Sequence, residues 1–189
     1  IINWLKKWPV SRSKETGLGT QLFDTEFVID SLSDSTIYMA LYPIYNMLTS
    51  INIEAVNDEL FDAIYFGKET CSPTIVPFNP IIQQMRESYL KWYPVDIRLS
   101  GKDLIPNHLT MSMLTHNSIF GETYMPQKYY ICGHVTLKTN GVVEKMSKSK
   151  GNFITVNDVI QEHGADSVRL TFAEIEADVN DAVYGEDVV

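Results

Sequence analysis

The sequence predicts an α/β fold with a parallel sheet, and three observations carry that expectation. Strand-like and helix-like patterns alternate from Val95 to Ala173, which is the order a layered α/β unit produces. Of the 189 residues 44% are hydrophobic and 21% charged, the balance of a chain that buries a core. No apolar run reaches the eighteen or more residues of a membrane span.

The elements follow in order. Residues up to about Phe27 read as irregular, broken by Pro9, Gly17 and Gly19. Ser31–Ser35 offers several N-cap candidates. Ile37, Met39, Ala40, Leu41, Ile44, Met47 and Leu48 then recur at helical spacing, with Pro43 expected to kink or shorten that helix. A helix over 57–66 starts at the capping pair Asn57 and Asp58, and another spans 79–91. Three prolines between Lys68 and Pro80 mark a connection. Val95–Leu99 alternates as a short strand, Gly101 ends it, and a helix is expected from about Asp103. Tyr129–Leu137 reads as a second strand leaving through Thr139-Asn140-Gly141. A loop over 145–152 leads to a helix from about Asn157, and Gly164 separates it from one starting near Ala165. In such sheets ligands sit at the carboxyl ends of strands. Gly101 and the loop beyond the second strand are therefore the places to look.

The formal charge is −9, which lacks the basic footprint of a nucleic-acid binder. It is unevenly spread. The acidic segment from Glu174 holds six of the chain's 24 acidic residues and no lysine or arginine, so the rest of the chain is close to balanced. Cys71 and Cys132 are too far apart for a CxxC pair, which argues against a disulfide scaffold or cysteine zinc cluster and favours a reducing compartment. The chain begins Ile1-Ile2-Asn3 with no signal-like segment, as expected of a processed or excised piece of something longer.

The loop Lys145-Met146-Ser147-Lys148-Ser149 carries the chemistry. A generic lysine–serine run is a solvated turn. This five-letter string recurs by chance at only about one in three million positions, and it matches the Lys-Met-Ser-Lys-Ser loop of class I aminoacyl-tRNA synthetases. Ammonium groups on flexible stems suit charge building on phosphate oxygens during nucleotidyl transfer.

Longer blocks extend the match. Ser11-Arg12, Gly17-Leu18-Gly19-Thr20, the run from Ser31 to Ala40, Trp92-Tyr93-Pro94-Val95-Asp96, the run from Ser100 to Leu109, Gly133-His134 and Gly164-Ala165-Asp166 with Arg169 resemble leucyl-tRNA synthetases of the archaeal and eukaryotic cytosolic type. Two departures stand out. Ser13-Lys14-Glu15-Thr16 lengthens the first segment, and Gln21-Leu22-Phe23 replaces the family's Pro-Trp.

The resemblance implies the second half of a Rossmann-type catalytic domain. Residues 1–32 would re-enter it after the editing insertion, 33–173 would form the half-domain, and 174–189 would be an acidic tail leading toward an anticodon-binding domain. It implies ATP-dependent activation of leucine and transfer to tRNA(Leu) in the cytoplasm, with Mg2+ accompanying ATP, no structural metal and no membrane. Lys145 and Lys148 would assist the phosphate chemistry, with Met146, Ser147 and Ser149 also at ATP. Gly101 and Asp103 would meet the ribose, and Gly133 and His134 would precede the adenine-holding loop. Tyr38, Ser35 and His108 would line the leucine pocket.

Each role has a plainer rival. Asp103 also suits a helix cap, His108 a half-buried histidine and Tyr38 a core aromatic. His116, His163, Met111 and Met113 fit no metal or cofactor template, and Trp4, Trp8 and Trp92 read as core or edge aromatics. The family's His-x-Gly-His element is absent from these residues, so they are expected to be inactive alone. The competing expectations are a non-catalytic interaction module with the same fold, or another class I synthetase.

Overall fold

Capping and proline chemistry decide where the helices of the first unit begin and end. The computed structural model describes residues 3, 8–16, 19–175 and 178–185. Trp4, Gly17 and Leu18, and Glu176, Glu186 and Asp187 of the acidic segment, lie outside the described residues. The chain divides into two compact units, one of residues 1–97 and 105–128, the other of 98–104 and 129–189.

In the first unit β1 (Ser11–Ser13) pairs antiparallel with β2 (Phe27–Ile29), Arg12 opposite Val28. Asp30 follows β2. Its buried carboxylate accepts from Leu32 N at 2.8 Å and pairs with the Arg12 guanidinium. Asp30, rather than the serines after it, therefore caps α1 (Ser31–Asp34). The single helix expected over 37–48 is broken into a 3-10 turn at Tyr38–Ala40 and the short α2 (Tyr45–Leu48). Pro43 has no N–H and its ring clashes with the preceding turn, so the ladder cannot run through it.

α3 (Asp58–Phe66) matches its sequence signals. Asn57 accepts from Leu60 N at 3.2 Å, and Gly67 closes the helix at φ 69°, a left-handed conformation that glycine adopts without penalty. Leu60, Ala63 and Ile64 are buried on one face. α4 (Asn79–Trp92) starts with Pro80 in its first turn, where a missing N–H costs nothing, and buries Ile82, Met85 and Tyr89. These side chains join Ile44, Ile51 and Ile75 in one core, each fully buried aliphatic contributing about 1.5–3 kcal/mol.

The helix expected from Asp103 begins later. A 3-10 turn (Lys102–Leu104) and a π turn (Ile105–Leu109) precede α5 (Thr110–Phe120). Asp103 is thus not the cap of α5. His116 on α5 is fully buried, its Nδ1 donating to Ser112 O at 2.8 Å and its Nε2 facing the Tyr93 hydroxyl. Those partners select the Nδ1–H tautomer, with Tyr93 as donor.

The second unit is built on short sheets. β3 (Ile97–Gly101) pairs with β4 (Lys128–Cys132). The strand expected over 129–137 parts at Gly133-His134, and β5 (Val135–Thr139) belongs to another sheet. There it pairs antiparallel with β6 (Val142–Lys145) and parallel with β7 (Ala182–Tyr184). The sheet is mixed, and part of the expected acidic tail is one of its strands. α6 (Val156–His163) opens with a reciprocal capping box between Thr155 and Asp158, worth about 1 kcal/mol. Gly164 at φ 81° separates it from α7 (Ala165–Glu174). Val159, Val168 and Tyr184 form this unit's buried core.

Candidate functional site

The register of the β5–β6 hairpin sets the geometry of the second unit's polar end. Thr136 stands opposite Lys145, so the lysine loop begins beside the strand end that carries Gly133 and His134. Gly151 turns the chain out of the loop at φ 69°. Asn152 staples it: its Oδ1 accepts from Ser147 N at 2.9 Å, while its Nδ2 donates to Lys145 O at 3.3 Å and Glu144 Oε2 at 3.2 Å. The Ser147 and Ser149 hydroxyls lie 2.8 Å apart. Lys145, Lys148 and Lys150 are exposed. Met146 points elsewhere, lining an apolar cavity of about 340 Å³ with Val135, Ile154, Val159 and Tyr184.

The expected ribose and adenine residues come together in this unit. Asp103 Oδ1 lies 3.7 Å from His134 Nε2. A Cβ on Gly101 would stand 2.6 Å from Asp103 Oδ1, so the missing side chain lets that carboxylate fold back over the strand end. Gly133 is closed in by backbone. Its N–H donates to Asp178 O at 2.7 Å, and any Cβ would overlap the Asn180 carbonyl.

Residues that the sequence reading passed over complete the cluster. Asp181 Oδ1 accepts from His134 N at 2.7 Å and from Lys102 Nζ at 2.7 Å. His134 O in turn accepts from Ala182 N at 2.9 Å. The Lys102 ammonium, and after it the His134 N–H, hold the Asp181 carboxyl below the usual carboxylate range. A depressed folded pKa contributes stability above the unfolded value and loses it as pH falls through the folded one. The acidic titration step followed at the His134 amide proton is accordingly expected to have its midpoint below 3.8, the ordinary value. A titration midpoint above that value would contradict the assignment. The only sequence signal for this clamp was the cluster of short polar side chains in Asp178-Val179-Asn180-Asp181.

The expected leucine-pocket residues lie in the first unit. His108 is buried, with Nε2 2.9 Å from Ser35 O and its Nδ1 lacking a hydrogen-bond partner. Since Ser35 O can only accept, Nε2 carries the proton and Nδ1 is left as a bare acceptor. Ser35 Oγ donates to Leu32 O. Tyr38 is half-buried against the core and packs edge-on to Tyr42 at 5.1 Å. The structure thus joins Ser35 to His108, and groups Gly101, Asp103, Gly133 and His134 with the lysine loop in the other unit. Among the described residues, no group of three or more His, Cys, Asp or Glu is arranged to hold a metal ion, and no helix is long and apolar enough to cross a membrane.

The family model for tRNA synthetases class I (I, L, M and V) matches residues 72–184. The cytoplasmic leucine–tRNA ligase of Saccharomyces cerevisiae is 37% identical over 198 residues, covering 98% of this chain and 18% of that protein. Leucine–tRNA ligases of Nanoarchaeum equitans and Pyrococcus horikoshii are 43% and 45% identical, covering 91% and 90% of the chain. The chain spans 18% of the length of each of these three relatives.

Proposed function

The chain belongs to the class I tRNA synthetases of the I, L, M and V group, and from that premise we propose that it serves in leucine–tRNA ligation in the cytoplasm. The reaction is attack of the leucine carboxylate on the α-phosphate of ATP. A new bond forms from carboxylate oxygen to phosphorus, the α–β bridging bond breaks, and pyrophosphate leaves. A terminal ribose hydroxyl of tRNA(Leu) then displaces AMP from the leucyl-adenylate.

The observation that carries this reading is the stapled lysine loop beside the Gly133-His134 strand end. Lys145 and Lys148 place exposed ammonium groups where negative charge can be met as it moves to the leaving pyrophosphate, and Ser147 and Ser149 add hydroxyl donors. The Asp103 carboxylate, folded over the strand end at Gly101, suits ribose hydroxyls, and Gly133 and His134 are assigned to the adenine side. Met146 is assigned to ATP with the two serines, and it also lines the apolar cavity that seats the loop. His108, with Nδ1 unpartnered, Ser35 and Tyr38 are assigned to the leucine side. Mg2+ would arrive with the ATP phosphates. The donor set beside the loop is cationic and does not fit a protein-held Mg2+, so no step is routed through the ion.

The test is amino-acid-dependent ATP–pyrophosphate exchange by a complete ligase carrying these residues. Leucine is expected to exceed valine, one methylene smaller, by about 10–200-fold in kcat/KM. Faster exchange with isoleucine, valine or methionine would reassign the enzyme within its family.

A further inference from the structure

We infer that Asp181 is a positioning residue that locks the Gly101–Asp103 turn to the Gly133-His134 strand end, setting the shape of the nucleotide site. The inference rests on the reading just proposed and extends it to a segment outside every motif that supports that reading. One carboxylate oxygen holds two donors at once: Lys102 Nζ, from the turn that carries Asp103, and the backbone N–H of His134, each at 2.7 Å. Those two residues lie 32 positions apart in the chain, and Asp181 lies 47 beyond His134.

Further contacts show that the clamp is built rather than incidental. The Asp178 carbonyl accepts from Gly133 N at 2.7 Å, and Ala182 N donates to His134 O at 2.9 Å. Asn180 N and Nδ2 both donate to the Asp178 carboxylate, at 2.6 and 3.0 Å, shaping the loop that delivers Asp181. The Gly133-His134 backbone is thus gripped on both sides, while Lys102 is drawn toward it. Without Asp181, Lys102 loses its ionic partner and the His134 N–H loses its acceptor. The turn bearing Asp103 is then free to drift from His134, and drifts of about 1 Å at such a site cost as much as 100-fold.

Three variants of the complete ligase test this. Asp181→Ala removes both bonds and is expected to raise the ATP KM about tenfold, with the leucine KM within about twofold of wild type. Asp181→Asn keeps an oxygen for the His134 N–H and should recover part of that loss. Lys102→Met should raise the ATP KM by itself, yet add little when combined with Asp181→Asn, because both changes break the same pair. An ATP KM within about twofold of wild type in Asp181→Ala would overturn the inference. So would an equal rise in ATP and leucine KM, which would mean that the effect is not confined to the nucleotide side. Wild-type enzyme lacking leucine-dependent exchange would instead defeat the underlying reading and the inference with it.

Discussion

Lys148→Ala is expected to slow leucyl-adenylate formation about 100- to 1000-fold in single turnover, with leucine binding left within about twofold. The size follows from what removal of one preorganised donor to developing charge costs elsewhere. Its selectivity follows from geometry. Lys148 opens a 3-10 turn in an exposed loop whose backbone is fixed by Asn152, so truncating its side chain leaves the fold intact. Neither Ser35 nor His108, the groups assigned to leucine, lies in the same unit as this loop. A Lys145→Ala/Lys148→Ala double variant no slower than either single variant would show that the two ammonium groups act together, since residues working on one transition state are not additive. Unchanged single-turnover activation in Lys148→Ala would remove the loop from the chemistry.

The second large effect concerns Gly133. Gly133→Ala is expected to destabilise the second unit by about 3 kcal/mol, combining overpacking with broken hydrogen bonds. The new methyl group would overlap the Asn180 carbonyl and lie 2.8 Å from Asp181 N, both backbone atoms that no side-chain rotation can move aside. Relief requires the 178–181 segment to retreat. That motion breaks Gly133 N to Asp178 O and His134 N to Asp181. Hydrogen exchange should therefore accelerate at the Gly133, His134 and Ala182 amides, while Leu60 and Ile64 in the first unit keep their protection. Wild-type exchange at those three amides would mean that the close approach is not real.

Features written in adjacent residues are legible in the sequence. Asn57 caps α3, the Lys145–Ser149 string carries the family resemblance, and Gly164 separates two helices. Features that depend on distant partners are not. The apolar run from Tyr129 to Leu137 gives no periodic sign that it serves two sheets, because the break at Gly133-His134 is imposed by a segment some 45 residues later. The same distance hid Asp181, which composition places in an acidic tail and hydrogen bonding places between Lys102 and His134. The helix expected over 37–48 shows the opposite error. Its apolar spacing was regular, and Pro43 outweighed it.

The 47-residue span between His134 and Asp181 also sets a schedule for the chain as it is made. At about 5–20 residues per second, the ribosome delivers His134 roughly 2–9 seconds before the Asp181 clamp that holds it. During that interval β5 has its hairpin partner but lacks β7, leaving one edge open to pairing with other strands. The Gly133-His134 strand end is therefore among the last parts of this unit to mature, and the newborn chain passes through a stage in which its cationic loop is finished while the clamp on His134 is not.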